Sequence, residues 1–341
     1  MEHTRRQLIS LLRGQVSCPV LANLAELGWL DKMSVGSFGI TDFPQSQPDV
    51  ATAVFRYFVS IGLLIDDHQH PGRYTASDLG RSVFARFGSF CILNSYQAFF
   101  QDLRSLLFPD HANERPAVNR FRNVLGSGQL HAAKFFSRAL QAFIGRSFPF
   151  VVDLGCGNGQ FLQQVVETQL AQKLGGVDAS EVAVAATRSA FKAANRGGAH
   201  LCTVKADASQ IGTWCDHLPW YQEAGLFSLW FVLHEFSRRD PRVVIRFFHE
   251  INRRYPLAEL LVGELVRLPP QTMANNRMES IMPEFLFFHE ISDQGVLSWS
   301  EWQEIREAIP FRIMSEQHMD NVLVEGGASL PSNFIWHLKP I

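Results

Sequence analysis

The sequence predicts an α/β protein: a short, mainly helical N-terminal part followed by an open, doubly wound parallel sheet. Three observations carry this expectation. The 341 residues are 46% hydrophobic and 19% charged, enough apolar material for full-sized cores and, at roughly 150 residues per domain, for about two of them. From Phe148 onward, short apolar runs alternate with stretches of helical period. The first of these runs ends in a glycine-rich turn, Gly155-Cys156-Gly157-Asn158-Gly159, which opens a helix.

In the N-terminal part, Pro19-Val20-Leu21 through Leu27-Gly28-Trp29-Leu30 has helical spacing and a glycine stop. Gln47-Pro48-Asp49 starts a second helix, Val50 to Ile61, with Val54, Phe55, Phe58 and Ile61 on one face. Gly62-Leu63-Leu64-Ile65 turns into a strand, Asp66 to Gly72 is a polar turn, and Arg73-Tyr74-Thr75 returns. Helix, helix and hairpin in this order make a winged helix over residues 1–90. Its central helix carries one basic residue, Arg56, among apolar ones, so the module reads as a dimerisation unit and the protein as a homodimer. The balance of 31 Lys+Arg against 33 Asp+Glu, a formal charge of −2, likewise argues against a nucleic-acid partner. Residues 91–147 read as a helical linker, interrupted between Phe108 and Pro116, that can roof an active site. It carries Arg115, Arg120 and Arg122, and Arg120 offers a bidentate fork for a carboxylate.

The sheet strands are read at Phe150–Leu154, Leu174–Asp178, His200–Val204, Leu226–Leu233, Leu260–Glu264, Phe311–Met314 and Asn333–Leu338. They form one domain over 148–341 with an antiparallel last strand. The five cysteines are scattered without a C-x-x-C pair, which excludes a disulfide framework. The N-terminus lacks a signal-peptide pattern, and no apolar run of membrane-spanning length stands out. The expectation is a soluble cytoplasmic protein.

The glycine turn has the spacing G-x-G-x-G, not the dinucleotide G-x-G-x-x-G, and Asp153 stands two residues before it. That carboxylate suits a ligand with an ammonium group. Asp178 ends the second strand, where it can accept two ribose hydroxyls, and Asp207 follows the third, where it can meet an adenine amino group. These residues resemble the class I S-adenosylmethionine (SAM) methyltransferases, a Rossmann-like seven-stranded fold. The resemblance implies SAM as cofactor, held by Asp153, Gly155, Gly157, Asn158, Gly159, Asp178, Ala179, Asp207, Ala208 and Trp230.

The fourth strand runs into Trp230-Phe231-Val232-Leu233-His234-Glu235-Phe236. With the winged-helix start, this resembles the plant-type small-molecule O-methyltransferases, in which a histidine at this place deprotonates a hydroxyl. Further on, Met282 to Gly295 contains a second His-Glu pair, His289-Glu290, outside that pattern. A His and an acid at the end of the fourth strand, with a later Phe-His-Glu segment, is similar to the metal-dependent 2-oxo acid C-methyltransferases. That resemblance implies a divalent ion, zinc or else iron, manganese or cobalt, on His234, Glu235 and His289, with Glu290 as the alternative carboxylate. It implies His234, Glu235, His289 and Arg120 as catalytic residues and methylation of the carbon next to the keto group, giving precursors of β-methyl amino acids of the kind used in antibiotic biosynthesis. Phe285-Leu286-Phe287-Phe288 favours an apolar or flat side chain. The lead substrate is 5-guanidino-2-oxopentanoate, its charge met by Glu279, Glu284 or Asp102, ahead of phenylpyruvate and 4-methyl-2-oxopentanoate. Two other readings stand beside this one: a metal-independent O-methyltransferase with His234 as general base, and a SAM-binding regulator acting through the winged helix. His249-Glu250 repeats the dipeptide on a helix and is taken as incidental.

Overall fold

The chain divides into two compact units, Met1–Ser95 with Leu125–Leu130, and Tyr96–Val124 with His131–Ile341. The computed structural model describes residues 2–108, 116–193, 199–218, 220, 223–238, 240–276, 281–323 and 329–341.

In the first unit the elements are α1 (Glu2–Glu26), α2 (Trp29–Ser34), β1 (Phe38–Gly39), α3 (Pro48–Ser60), β2 (Leu64–Asp66), β3 (Arg73–Ala76), α4 (Asp78–Phe84) and α5 (Phe87–Ser95). Pro48 sits in the first turn of α3, where its missing N–H costs nothing. β3 pairs antiparallel with β2 and β1, and Phe38, Phe55, Phe58 and Phe84 are buried in the core. The first helix differs from expectation. It begins at Glu2, not near Pro19, and runs through that proline. The residues before Pro19 are mostly good helix formers, which outweighs the one backbone bond a proline removes. Contrary to the sequence expectation, one helix among the described residues, Thr4–Glu26, is long and apolar enough to cross a membrane by length and composition. It exposes Leu8, Leu11, Leu12 and Val16.

The second unit opens with α6 (Gln97–Gln101), α7 (Leu103–Leu107) and the two ends of α8 (Arg120–His131), whose residues Leu125–Leu130 belong to the first unit. A π-helical turn (Ala132–Phe136) leads from α8 into α9 (Ser137–Gln141). Then follow β4 (Phe150–Leu154), α10 (Gln160–Glu167), β5 (Lys173–Asp178), α11 (Glu181–Ala193), β6 (His200–Lys205), β7 (Leu226–Trp230), α12 (Leu233–Ser237), α13 (Pro241–Arg254), β8 (Glu259–Leu265), α14 (Pro270–Asn276), α15 (Met282–Ile291), α16 (Trp299–Ala308), β9 (Phe311–Leu323) and β10 (Ser329–Pro340).

The sheet order is β6-β5-β4-β7-β8-β10-β9. β4 to β8 pair in parallel, and β10 is antiparallel to both its neighbours. Along β4, Phe150, Val152 and Leu154 enter one core cluster and Val151 the other, so helices cover both faces. That is why the strand reads as a continuous apolar run. The chain winds from β4 outward to β6 on one side and through β7 on the other. A crevice at the carboxyl ends of β4 and β7 follows from this switch in winding direction.

Candidate active site

The glycine turn lies at the carboxyl end of β4. Gly155, Gly157 and Gly159 have φ of +80°, +54° and +76°, values that favour glycine. At Gly155 a side chain is excluded twice, since a Cβ there would come within 2.2 Å of Val232 Cγ2. Gly155 N donates to Val177 O at 2.7 Å, which ties the turn to β5. Asp178, at the end of β5, accepts from Gly157 N at 3.0 Å and Ser180 N at 2.8 Å. Burial raises its pKa while those backbone bonds oppose the rise. Asn158 is half-buried and Ala179 is exposed. Asp207, just past β6, is exposed and accepts from Ser209 N at 2.9 Å; Ala208 is buried.

Two residues expected at the cofactor are buried. Asp153 is 2% exposed and accepts a hydrogen bond from Ser228 Oγ at 2.7 Å. Burial, with Asp178 adding to it, pushes its pKa up to about 8. Its carboxyl group lies inside the sheet and does not stand open for an ammonium ion. The Trp230 ring is buried between Phe136 and Phe161, with centroids at 4.9 and 5.3 Å. It lies on Gly263, where a Cβ would come within 2.5 Å of the indole. It is core, because alternation along β7 turns it to the packed face.

The fourth strand ends at Trp230, earlier than the sequence suggests. Phe231 takes a left-handed backbone, φ +56°, with its N–H donating to Gly263 O at 2.8 Å. This break starts α12 and carries His234, 2% exposed, over the end of β8. There Glu264, fully buried, accepts from Leu233 N at 2.9 Å, Leu265 N at 3.0 Å and His234 Nδ1 at 3.1 Å. Burial pulls the His234 pKa down, but the Glu264 charge and hydrogen bond, with help from Glu235, hold it above the usual value. Glu264 received no role from the sequence. The available signal was an acid closing the otherwise apolar run Leu260-Leu261-Val262-Gly263, which is rare unless the acid has a partner.

The α15 helix delivers His289 to the same place. His289 is 3% exposed; its ring lies 4.8 Å from that of His234 at 77° and stacks on Phe285 at 3.8 Å. His289 Nδ1 donates to Phe285 O at 2.7 Å. Burial first, then the neighbouring His234, keeps its pKa well below the usual value, so the ring is neutral. The connection after α15 is tied to α12: Gly295 N donates to His234 O at 3.0 Å, and Ser237 Oγ donates to Gly295 O. Tyr96 stacks on Phe288 at 4.0 Å and donates to Gln294 Oε1 at 3.2 Å.

Glu235 does not join the two histidines. Its exposed carboxylate meets Arg120 Nη1 at 3.4 Å, so the expected three-ligand set is only two-thirds assembled and Arg120 is already paired. Among the described residues, no three His, Cys, Asp or Glu side chains converge closely enough to hold an ion. Glu290 lines a cavity of about 790 Å³ with Leu286, Phe287 and Met273, on a different face of α15 from His289. Glu284 is exposed and Asp102 half-buried; Glu279 and Arg115 lie outside the described residues.

Solved structures match this chain over nearly its whole length. The mitomycin 7-O-methyltransferase MmcR matches with a TM-score of 0.57 at 13% identity, over 100% of this chain and 98% of that one. LaPhzM gives 0.61 at 16%, over 99% of both. Human N-acetylserotonin methyltransferase, in complex with SAM, gives 0.59 at 15%, over 99% and 97%. The fold is that of the class I SAM-dependent methyltransferases. No family model and no curated protein matches the sequence. On a class I methyltransferase fold the carboxyl ends of the parallel strands face the ligand crevice. The glycine turn, Asp178, Asp207, the α12 segment with His234, and Glu264 all lie at or just past those ends.

Proposed function

We propose that this protein is a SAM-dependent methyltransferase that methylates the carbon beside the keto group of a 2-oxo acid. The glycine turn supports the cofactor assignment: its positive φ values and the absence of side chains leave backbone open to a ligand. Asp178 retains acceptor capacity beyond its two backbone donors, since a carboxylate offers about four lone-pair sites. Gly155, Gly157, Asn158, Gly159, Asp178, Ala179, Asp207 and Ala208 would hold SAM, which supplies a sulfonium methyl group when bound. Asp178→Ala is expected to lower SAM affinity by roughly 1.5–3 kcal/mol, through loss of a charge-assisted bidentate contact. Calorimetry giving unchanged affinity would overturn this assignment.

The observation that carries the reading is the pairing of His289 with His234. Each ring has Nδ1 engaged, one on the Glu264 carboxylate and one on a backbone carbonyl. That leaves Nε2 as the free nitrogen of each, the arrangement typical of metal-ligating histidines. His289, held neutral, is of no use as a second base but suits a ligand. His234 and His289 fit as two protein ligands, with Glu235, the next residue in sequence, completing the set on leaving Arg120. A divalent ion held there, zinc by preference, would supply Lewis acidity toward the keto oxygen and so acidify the neighbouring C–H. Arg120 offers its fork to the substrate carboxylate, and the half-buried Phe285 offers a flat surface to its side chain. The lead substrate is 5-guanidino-2-oxopentanoate, whose planar guanidinium stacks on aromatic rings; phenylpyruvate and 4-methyl-2-oxopentanoate follow. The purified protein is expected to carry near-stoichiometric metal and to lose turnover on exhaustive chelation. Full activity with metal confirmed absent would defeat the metal-dependent reading.

A second reading, O-methylation with His234 as general base, is favoured by the buried Glu264 that orients the imidazole and raises its basicity. Its test is the same assay run on phenols. It leaves His289 without a task.

The exposed apolar row on α1 supports a homodimer through residues 1–90. Light scattering at micromolar concentration is expected to give twice the chain mass; a monomer there would contradict the dimer.

A further inference from the structure

The sequence singled out two histidines at the crevice, but a third lies against the same segment. His131, the last residue of α8, stacks on the Phe231 ring at 4.1 Å and 27°. Phe231 is the residue whose left-handed backbone turns the chain toward His234, so the stack ties His131 to the element that carries the chemistry. Phe135 meets the same Phe231 ring edge-on, with centroids 4.7 Å apart at 65°. The turn after His131 is π-helical, a widened geometry that is uncommon and concentrated at functional sites. His131 is half-buried, and neither ring nitrogen hydrogen-bonds to any described residue. With the ring half-buried and both nitrogens unbonded, a polar group entering the crevice can donate a hydrogen bond to it or accept one from it.

We propose that His131 is a positioning residue for the methyl acceptor, hydrogen-bonding a polar group of the bound substrate while its ring stays stacked on Phe231. This rests on the reading of the site as a methyl-transfer crevice. Burial, with the His234 charge, holds the imidazole pKa near 3. The ring is therefore neutral across the working range and offers one donor and one acceptor. So weak a base cannot compete with His234 for a proton, which is why its role is orientation.

The test uses the full-length protein and whichever acceptor the wild type methylates fastest from a panel of 2-oxo acids and phenols. Turnover of phenols alone would refute the 2-oxo acid reading and leave the His131 comparison to run on the phenol. His131→Phe keeps the aromatic stack and removes both nitrogens. It is expected to raise acceptor KM roughly tenfold, the value of about one hydrogen bond, with SAM Kd and metal content unchanged. The pH profile should keep its midpoints, because the group removed does not titrate there. His131→Gln, which restores a donor and an acceptor, should recover most of the lost KM. An unchanged KM in His131→Phe overturns the proposal. So does loss of metal in that variant, which would make His131 a ligand. Equal defects in both variants with equally lowered Tm would make it structural and overturn the proposal as well.

Discussion

Replacing His289 with alanine is expected to abolish methyl transfer while leaving SAM affinity within about twofold. The loss should reach at least about 10³-fold, since Lewis-acid stabilisation of roughly 4 kcal/mol corresponds to that factor in rate. The two sites should separate because His289 comes from α15, whereas the glycine turn, Asp178 and Asp207 come from β4, β5 and β6. Metal retention should fall with activity, and His234→Ala should behave alike. The discriminating result is the residual rate. If His289 is only a stacked core ring, alanine leaves a cavity beside Phe285, Tm drops, and the remaining turnover is indifferent to chelators. That outcome would remove the metal from the mechanism and return the site to a His234–Glu264 base.

Glu264→Gln is expected to lower turnover by about 10–100-fold, the usual cost of losing the partner that orients a catalytic or metal-bound histidine. It should also move the pH dependence in a definite direction. His234 is held above its ordinary value by Glu264 against the opposing effect of burial. Activity requires the neutral imidazole, so it falls as pH drops through that raised value. Without the carboxylate, burial is opposed only by the weaker effect of Glu235, and the acid limb moves to lower pH. Stability follows the same linkage in the metal-free protein. A raised folded-state pKa contributes stability that is complete below the unfolded value and lost as pH rises through the folded one. Glu264→Gln should remove that component, flattening Tm against pH near neutrality. Glu264→Leu should be far worse, at about 3–5 kcal/mol, because it strands the Leu233 and Leu265 N–H groups and an imidazole in the core. An unshifted acid limb in Glu264→Gln would show that His234 is not the titrating group.

By itself, the sequence determined the parallel sheet, the hairpin module before it, the glycine turn and the two acids that follow β5 and β6. All of these are local: period, glycine spacing and a residue's place at a strand end are set by a few neighbours along the chain. It also singled out His234 and His289 as residue types in notable surroundings. What only the tertiary structure decided is which groups meet. Asp153 and Trp230 sit beside the glycine turn and at a strand end, yet pleating and packing bury both. Glu235 follows His234 directly, yet successive residues on a helix point different ways, and its carboxylate goes to Arg120. Glu264 lies thirty positions from His234 in the chain, and only the parallel pairing of β7 with β8 brings it under that imidazole. His131 is farther still, on a helix before the sheet begins, and nothing in its own neighbourhood of sequence marks it. Partner choice among buried polar groups depends on distances across strands and between helices, and those distances exist only once the sheet has formed.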